Sequence, residues 1–269
     1  MKPAYRSTIE TLDRISANLP WFTRCAFHLL PPRCHFCAGE GDLRNVDLCT
    51  ACLERMPWSA ALEQRRLLAS GVAACSALDY RPPVAESLKR LKFAGDRTAA
   101  RVLGALLAAT VSAVAAEDSI TAEDSIAAVQ DEARLRMLLP DVLLPIPLHH
   151  ARQIERGFNQ SFLLAREAGR WLRLPVCRGG LLRVRETRPQ TQLHATERRQ
   201  NVAGAFVVLP GLRAELERRG AIRIALIDDV LTTGATLDAA VEALRAAGFH
   251  QVQCWSVARA TPTKTTRLT

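Results

Sequence analysis

Residues 221 to 236 read A-I-R-I-A-L-I-D-D-V-L-T-T-G-A-T, and no other stretch restricts the fold as tightly. An apolar run (Ile222, Ile224, Leu226, Ile227) stops at Asp228 and Asp229. After Val230 and Leu231 comes a small, hydroxyl-rich turn, Thr232-Thr233-Gly234-Ala235-Thr236, which opens an Ala-rich helical pattern. Strand, acidic pair, turn and helix in that order predict a βα junction at the carboxyl edge of an α/β sheet. The backbone N–H groups of the turn and the positive end of the helix converge on one spot, which suits a phosphate. Gly234 permits close backbone approach, and the threonine hydroxyls add donors. Carboxylates so near an anion would repel it, so Asp228 and Asp229 need a different role, either accepting from sugar hydroxyls or helping to hold Mg²⁺. A phosphate beside two diol-binding carboxylates describes a ribose 5-phosphate. The plain alternative is a Thr233 helix cap with two solvated aspartates. The stretch has neither the G-K-[ST] of a Walker loop nor a G-x-G-x-x-G fingerprint.

The 269-residue chain carries a formal charge of +9 and a pI near 9.6. That balance favours phosphorylated or polyanionic partners, and fits a merely basic surface equally well. No run reaches the ~20 apolar residues of a membrane span. The N-terminus lacks the apolar core of a secretory signal. The expected location is therefore cytoplasmic, where eight cysteines suggest metal or redox chemistry more than a disulfide frame.

Four of them form two hooks, Cys34-x-x-Cys37 and Cys49-x-x-Cys52, separated by 11 residues. Two tight turns presenting four thiolates match the tetrahedral demand of a structural Zn²⁺. Coincidental pairs or a reactive dithiol are the competing readings. A segment this small has little core of its own, so metal binding would supply its folding free energy. His35, inside the first hook, is expected to be a bystander. The predicted organisation is an N-terminal helical segment over 1–30, a four-cysteine zinc ribbon over 31–58 and a larger domain over 73–260. That domain carries an acidic insertion near 116–136, where A-E-D-S-I is duplicated.

Within the larger domain, strands are predicted near 73–80, 140–147, 181–184, 202–208 and 252–258. Helices are expected from Pro82-Pro83 to Gly95 and over 96–116, 157–172 and 212–220. Arg152 and Arg156 fall on a loop after the 140–147 strand, where arginines can grip a phosphate by bidentate hydrogen bonds. Residues 185–201 are polar and basic without an apolar period, as functional or disordered loops often are.

Ile224 to Thr236 resembles the phosphoribosyl pyrophosphate (PRPP) signature of type I phosphoribosyltransferases. The cysteine hooks, L-K-F-A-G-D at 91–96, P-I-P-L at 145–148, R-G-F-N-Q at 156–160 and R-x-T-x-x-Q…N-V-x-G-A-F at 185–206 extend the likeness. Taken in order, this set resembles the ComF family from about Pro31 to Ala258. The resemblance implies the type I phosphoribosyltransferase fold: a twisted, mostly parallel α/β sheet flanked by helices, with a small N-terminal zinc ribbon. It implies PRPP and Mg²⁺ at the strands' carboxyl ends. Asp228 and Asp229 would then meet the ribose hydroxyls, and Thr232, Thr233, Gly234, Ala235 and Thr236 the 5-phosphate. Arg152 and Arg156 would lie near the pyrophosphate, with 185–201 as a closing loop. The implied activity is transfer of phosphoribose to a nucleobase-like nitrogen acceptor, a step of nucleotide metabolism. The alternative is a PRPP-sensing module that binds single-stranded DNA or a DNA-uptake helicase in natural transformation. One departure bears on the choice: purine-using members of the superfamily often carry Asp where this chain has Thr232, and threonine transfers no proton near neutral pH.

Overall fold

Four parallel strands hold the apolar runs, and their carboxyl ends lie along one edge. The computed structural model describes residues 10–12, 32–43, 45–59, 66–120, 138–185, 202 and 204–260. In chain order the elements are α1 (Thr50–Glu54), β1 (Arg66–Leu67), β2 (Ala73–Asp79), α2 (Val84–Ala94), α3 (Arg97–Ile120) and β3 (Val142–Pro145). There follow α4 (His150–Arg156), α5 (Gln160–Leu172), β4 (Leu181–Arg183), β5 (Phe206–Val208), α6 (Pro210–Arg218), β6 (Ile224–Leu231), α7 (Ala235–Ala246) and β7 (Val252–Arg259). The main sheet has the order β1-β2-β7-β6-β3; β2, β7, β6 and β3 run parallel, and β1 is a short antiparallel edge. β4 and β5 make a separate antiparallel pair. The expected mostly parallel α/β sheet is what the chain forms.

Strands covered on both faces read as continuous apolar runs, and Ile224, Ala225, Leu226 and Ile227 are all fully buried. Alternation splits them between two cores. Ala225 and Ile227 pack with Leu88, Leu103 and Leu164 of α2, α3 and α5, while Ile224 and Leu226 pack with Leu216 and Val241 of α6 and α7. α3 is long and apolar enough over Arg97–Ala116 to cross a membrane by composition, yet 89% of that window is buried inside the protein. It is the central helix of a core. Its closest neighbour is α5: a Cβ at Gly104 would stand 2.6 Å from the Cβ of Glu167.

Three expectations need correction. β6 does not stop at Asp228; its ladder with β7 continues through Asp228↔Ser256, Val230↔Ala258 and Leu231↔Arg259. Backbone pairing is indifferent to a carboxylate that finds partners off the sheet. Second, Arg152 and Arg156 lie on a helix, α4, rather than a loop. The run 150–156 contains no Gly or Pro to break it, and Gly157 closes it in the left-handed region at φ 76°. Third, the strand expected over 202–208 is shorter: β5 covers Phe206–Val208 alone, since Gly204 just before it sits in the left-handed region at φ 64°. The expected closing loop (186–201), most of the insertion with the duplicated A-E-D-S-I (121–137) and nearly all of the N-terminal segment lie outside the described residues.

The cysteine segment shares the larger core. Val46, Leu48, Leu53, Met56 and Trp58 are buried in the same cluster as Leu78, Leu88 and Leu103. Polar ties reinforce the seam: Arg101 donates to Asp47 at 2.9 and 2.6 Å, and His35 Nε2 lies 2.7 Å from Ser87 Oγ on α2.

Candidate functional site

The sulfur atoms of Cys34, Cys37, Cys49 and Cys52 all lie within 4.8 Å of one another, with Cys37 and Cys49 3.8 Å apart. A tetrahedral Zn²⁺ with bonds of about 2.3 Å needs sulfur–sulfur edges of about 3.8 Å. These four cysteines can hold a structural zinc ion. The first hook is pre-shaped by Ala38 N donating to Cys34 O at 2.8 Å and Cys34 N donating to Gly39 O at 2.7 Å. Asp42 accepts from Thr50 N and Oγ1 at 2.6 and 3.0 Å, pinning the start of α1 behind the second. Burial opposes ionisation of Cys34, but N–H groups of Cys37, Phe36 and Cys49 outweigh it and bring the thiol to about 7. Burial pushes the Cys52 thiol well up. Four thiolates cannot share so small a space without a cation to balance them. His35 turns away to Ser87, as its bystander role requires.

The second cluster sits at the carboxyl edge of the sheet. β6 delivers Asp228 and Asp229, then Thr232–Gly234 turns the chain into α7. Gly234 is needed there twice over: its φ is 90°, and a Cβ would meet Leu68 Cδ2 at 2.6 Å. Thr233 Oγ1 accepts from Ala235 N at 3.4 Å, a weak cap. The turn's N–H groups and the start of a 12-residue helix therefore face the same edge as the acids.

Asp229 is buried and forms an ion pair with Lys92, from the last turn of α2. Burial alone would raise Asp229, but the Lys92 ammonium outweighs it and holds the carboxyl below its usual range. Reciprocally, burial would depress Lys92, and Asp229 keeps it above its ordinary value. Asp228 is half-buried and accepts from Ser161 Oγ at 3.2 Å and from Asp229 N at 2.9 Å. Burial, then the neighbouring Asp229 charge, raise it to about 7. The pair thus holds one firm anion and one group poised near neutrality.

β3 runs beside β6 with Pro145 opposite Ile227, so α4 and α5 start at the same edge. Asn159 fastens them: its side chain donates to Ile146 O at 2.9 Å and accepts from Ser161 N and Phe162 N at 2.9 and 3.3 Å. Arg156 donates to Gln160 Oε1 at 2.6 Å, and Gln160 in turn supports Asp229. Burial lowers Arg156, with the Asp229 charge opposing and the Arg152 charge adding to it. Arg183, at the end of β4, is lowered by burial while the Asp228 charge opposes. Its guanidinium lies 5.6 Å from the ring of Phe206.

The predicted residues Asp228, Asp229, Arg152, Arg156 and 232–236 therefore gather at one edge. Four partners were missed: Lys92, Gln160, Ser161 and Arg183. A lysine on the apolar stripe of α2 was the signal for Lys92, since lysine is rarely buried unless paired. Lys92, Arg152, Arg156 and Arg183 thus gather about the two carboxylates, with the Glu155 charge also acting on Arg156.

No family model matches the chain. It is 42% identical to Competence protein F of Haemophilus influenzae over 134 residues, 49% of this chain and 57% of that protein. It is 30% identical to DNA utilization protein YhgH of Salmonella typhi over 231 residues, 86% of this chain and 84% of that protein. With Competence protein ComFC of Bacillus subtilis it shares 28% over 212 residues, 78% of this chain and 71% of that protein. The relation to the Salmonella protein, 30% over 86% of this chain and 84% of that one, is one of kinship, and the chain belongs to the ComF family.

Proposed function

We propose that the edge formed by β6, α4 and α5 binds the phosphoribosyl group of PRPP, and that the protein serves DNA uptake. The convergence of the 232–236 turn, the acid pair and four cationic side chains carries this reading. Asp228 and Asp229 accept from the ribose hydroxyls, and the turn N–H groups hold the 5-phosphate. Arg152, Arg156 and Arg183 balance the pyrophosphate. Mg²⁺ would enter with the diphosphate ligand rather than replace Lys92 on Asp229, which is already balanced. Bound so, it would add positive charge at the leaving group.

In the transferase form, the C1′–O bond to pyrophosphate breaks, a C1′–N bond to a nucleobase-like acceptor forms, and the acceptor nitrogen loses its proton. Stabilising the departing diphosphate and excluding water would be the protein's main contribution. Thr232 offers no base for that proton, and this favours a second reading: a PRPP-sensing module that does not turn over. In either form the names of the relatives support a role beside DNA, and the +9 charge suits single-stranded DNA or a helicase that carries it.

Isothermal titration with PRPP and Mg²⁺, paired with a pyrophosphate assay over a nucleobase panel, separates them. Binding with release above an Asp228→Asn, Asp229→Asn control supports transfer; binding without release supports the sensor. No PRPP binding refutes both.

A further inference from the structure

The last turn of α2 reads Lys92-Phe93-Ala94-Gly95, and its first two side chains part company. Lys92 goes inward to Asp229. Phe93 is 80% exposed, and among the described residues no large hydrophobic is more so. A solitary exposed apolar side chain is ordinary, so exposure alone carries nothing. The surroundings of this ring carry more. The Arg156 guanidinium lies over it, 5.7 Å from the centroid, and the same Arg156 donates to Gln160 and feels the Asp229 charge. One arginine therefore spans from the ring to the acid pair.

The end of the helix that carries the ring is fixed as well. Gly95 ends α2 at φ 64°, and a Cβ there would lie 3.4 Å from the Phe158 ring, which packs partly buried against the core. α2 thus ends wedged against the segment between α4 and α5. Phe93 is an aromatic side chain with most of its area open, next in sequence to the lysine that pairs with Asp229 and under the arginine that feels the same acid.

We propose that Phe93 is the stacking platform for the base of a nucleotide ligand, with Arg156 fixing the ring against the ribosyl site. This rests on the ribose-phosphate reading above and adds the class of the second group: a planar nitrogen heterocycle met through its π-face. Face-on contact selects planarity and tolerates different hydrogen-bonding patterns. A ribosyl ligand anchored by Asp228 and Asp229 would extend its base toward the rim, where Lys92 and Phe93 are adjacent in sequence.

Titration calorimetry on the full, zinc-loaded chain tests it with ribose 5-phosphate and AMP as probes. Wild type is expected to bind AMP about tenfold more tightly than ribose 5-phosphate, the scale of one base–aromatic stack. Phe93→Ala should erase that gap and keep the ribose 5-phosphate affinity. Phe93→Trp should keep the gap and show fluorescence quenching with AMP but not with ribose 5-phosphate. Ribose 5-phosphate binding with no gain for AMP, or a gain that survives Phe93→Ala, overturns the platform alone. Failure of both probes to bind overturns the ribose-phosphate reading itself. A Phe93→Ala loss confined to an oligothymidylate, with AMP unaffected, assigns the ring to single-stranded DNA and also overturns the proposal.

Discussion

Replacing Asp228 by Asn is expected to make the ligand-free protein more stable while removing its affinity for a ribose phosphate. Asp228 sits half-buried beside a second carboxylate, and those two facts raise it from 3.8 to about 7. A folded-state value above the unfolded one means that folding takes up a proton in the window between. The favourable contribution of that proton is fully present below about pH 4 and is lost as pH rises through about 7. Wild type therefore loses about 1.4 kcal/mol per pH unit across the window, or about 4 kcal/mol in all. Water entering a half-buried site reduces this, and about 2 kcal/mol is the expected observable.

Asn does not titrate, and its carbonyl oxygen can still accept from Asp229 N and Ser161 Oγ. The variant should match wild type near pH 4 and melt about 4–8 °C higher at pH 8. Thermal melts of both proteins at those two pH values are the assay. An Asn variant that melts no higher at pH 8, or a difference that does not grow with pH, refutes the electrostatic account. Calorimetry on the same samples should show ribose 5-phosphate binding weakened at least tenfold, the trade of function for stability that strained sites commonly display.

Lys92→Met strands Asp229 in a buried setting and should cost about 3 kcal/mol at pH 7. Because Asp229 is held below its usual range, the loss should shrink as pH falls below about 4, which urea titrations at pH 3.5 and 7 would reveal. Fresh protein should carry about one Zn²⁺ per chain, and Cys34→Ser with Cys49→Ser should lose it by elemental analysis. The thermal midpoint should fall with it, because the ribbon shares a core with α2 and α3. Gly104→Val should destabilise by at least about 2 kcal/mol in chemical denaturation, since even a Cβ would overlap Glu167 on α5.

The strand–turn–helix at 224–246 and the four-cysteine cluster were legible because each is local. An apolar run, a left-handed glycine and a cysteine spacing of two all act within a few residues, so the sequence pattern carries their geometry. The extension of β6 through the acids was not legible, since what sustains it is the ladder with β7, a strand that begins 21 residues after the end of β6. The same holds for the ribbon's burial against α2 and α3: hydropathy marked Leu48, Leu53 and Trp58 as apolar, but not which surface would cover them.

Lys92 shows why the site resisted a reading by motif. Its neighbours in sequence say only that a lysine interrupts an apolar helix face, while its partner lies 137 residues away on β6. That pairing changes what the acids can do. With Asp229 balanced by an ammonium and Asp228 near neutrality, the pair need not act as a bare dianion that would repel a phosphorylated ligand. The objection raised by placing two carboxylates beside an anion site is answered by a residue from another part of the chain. Arg156 and Arg183 then stand beside a pair whose own charge is largely met, which is the electrostatic setting that the proposed anionic ligand requires.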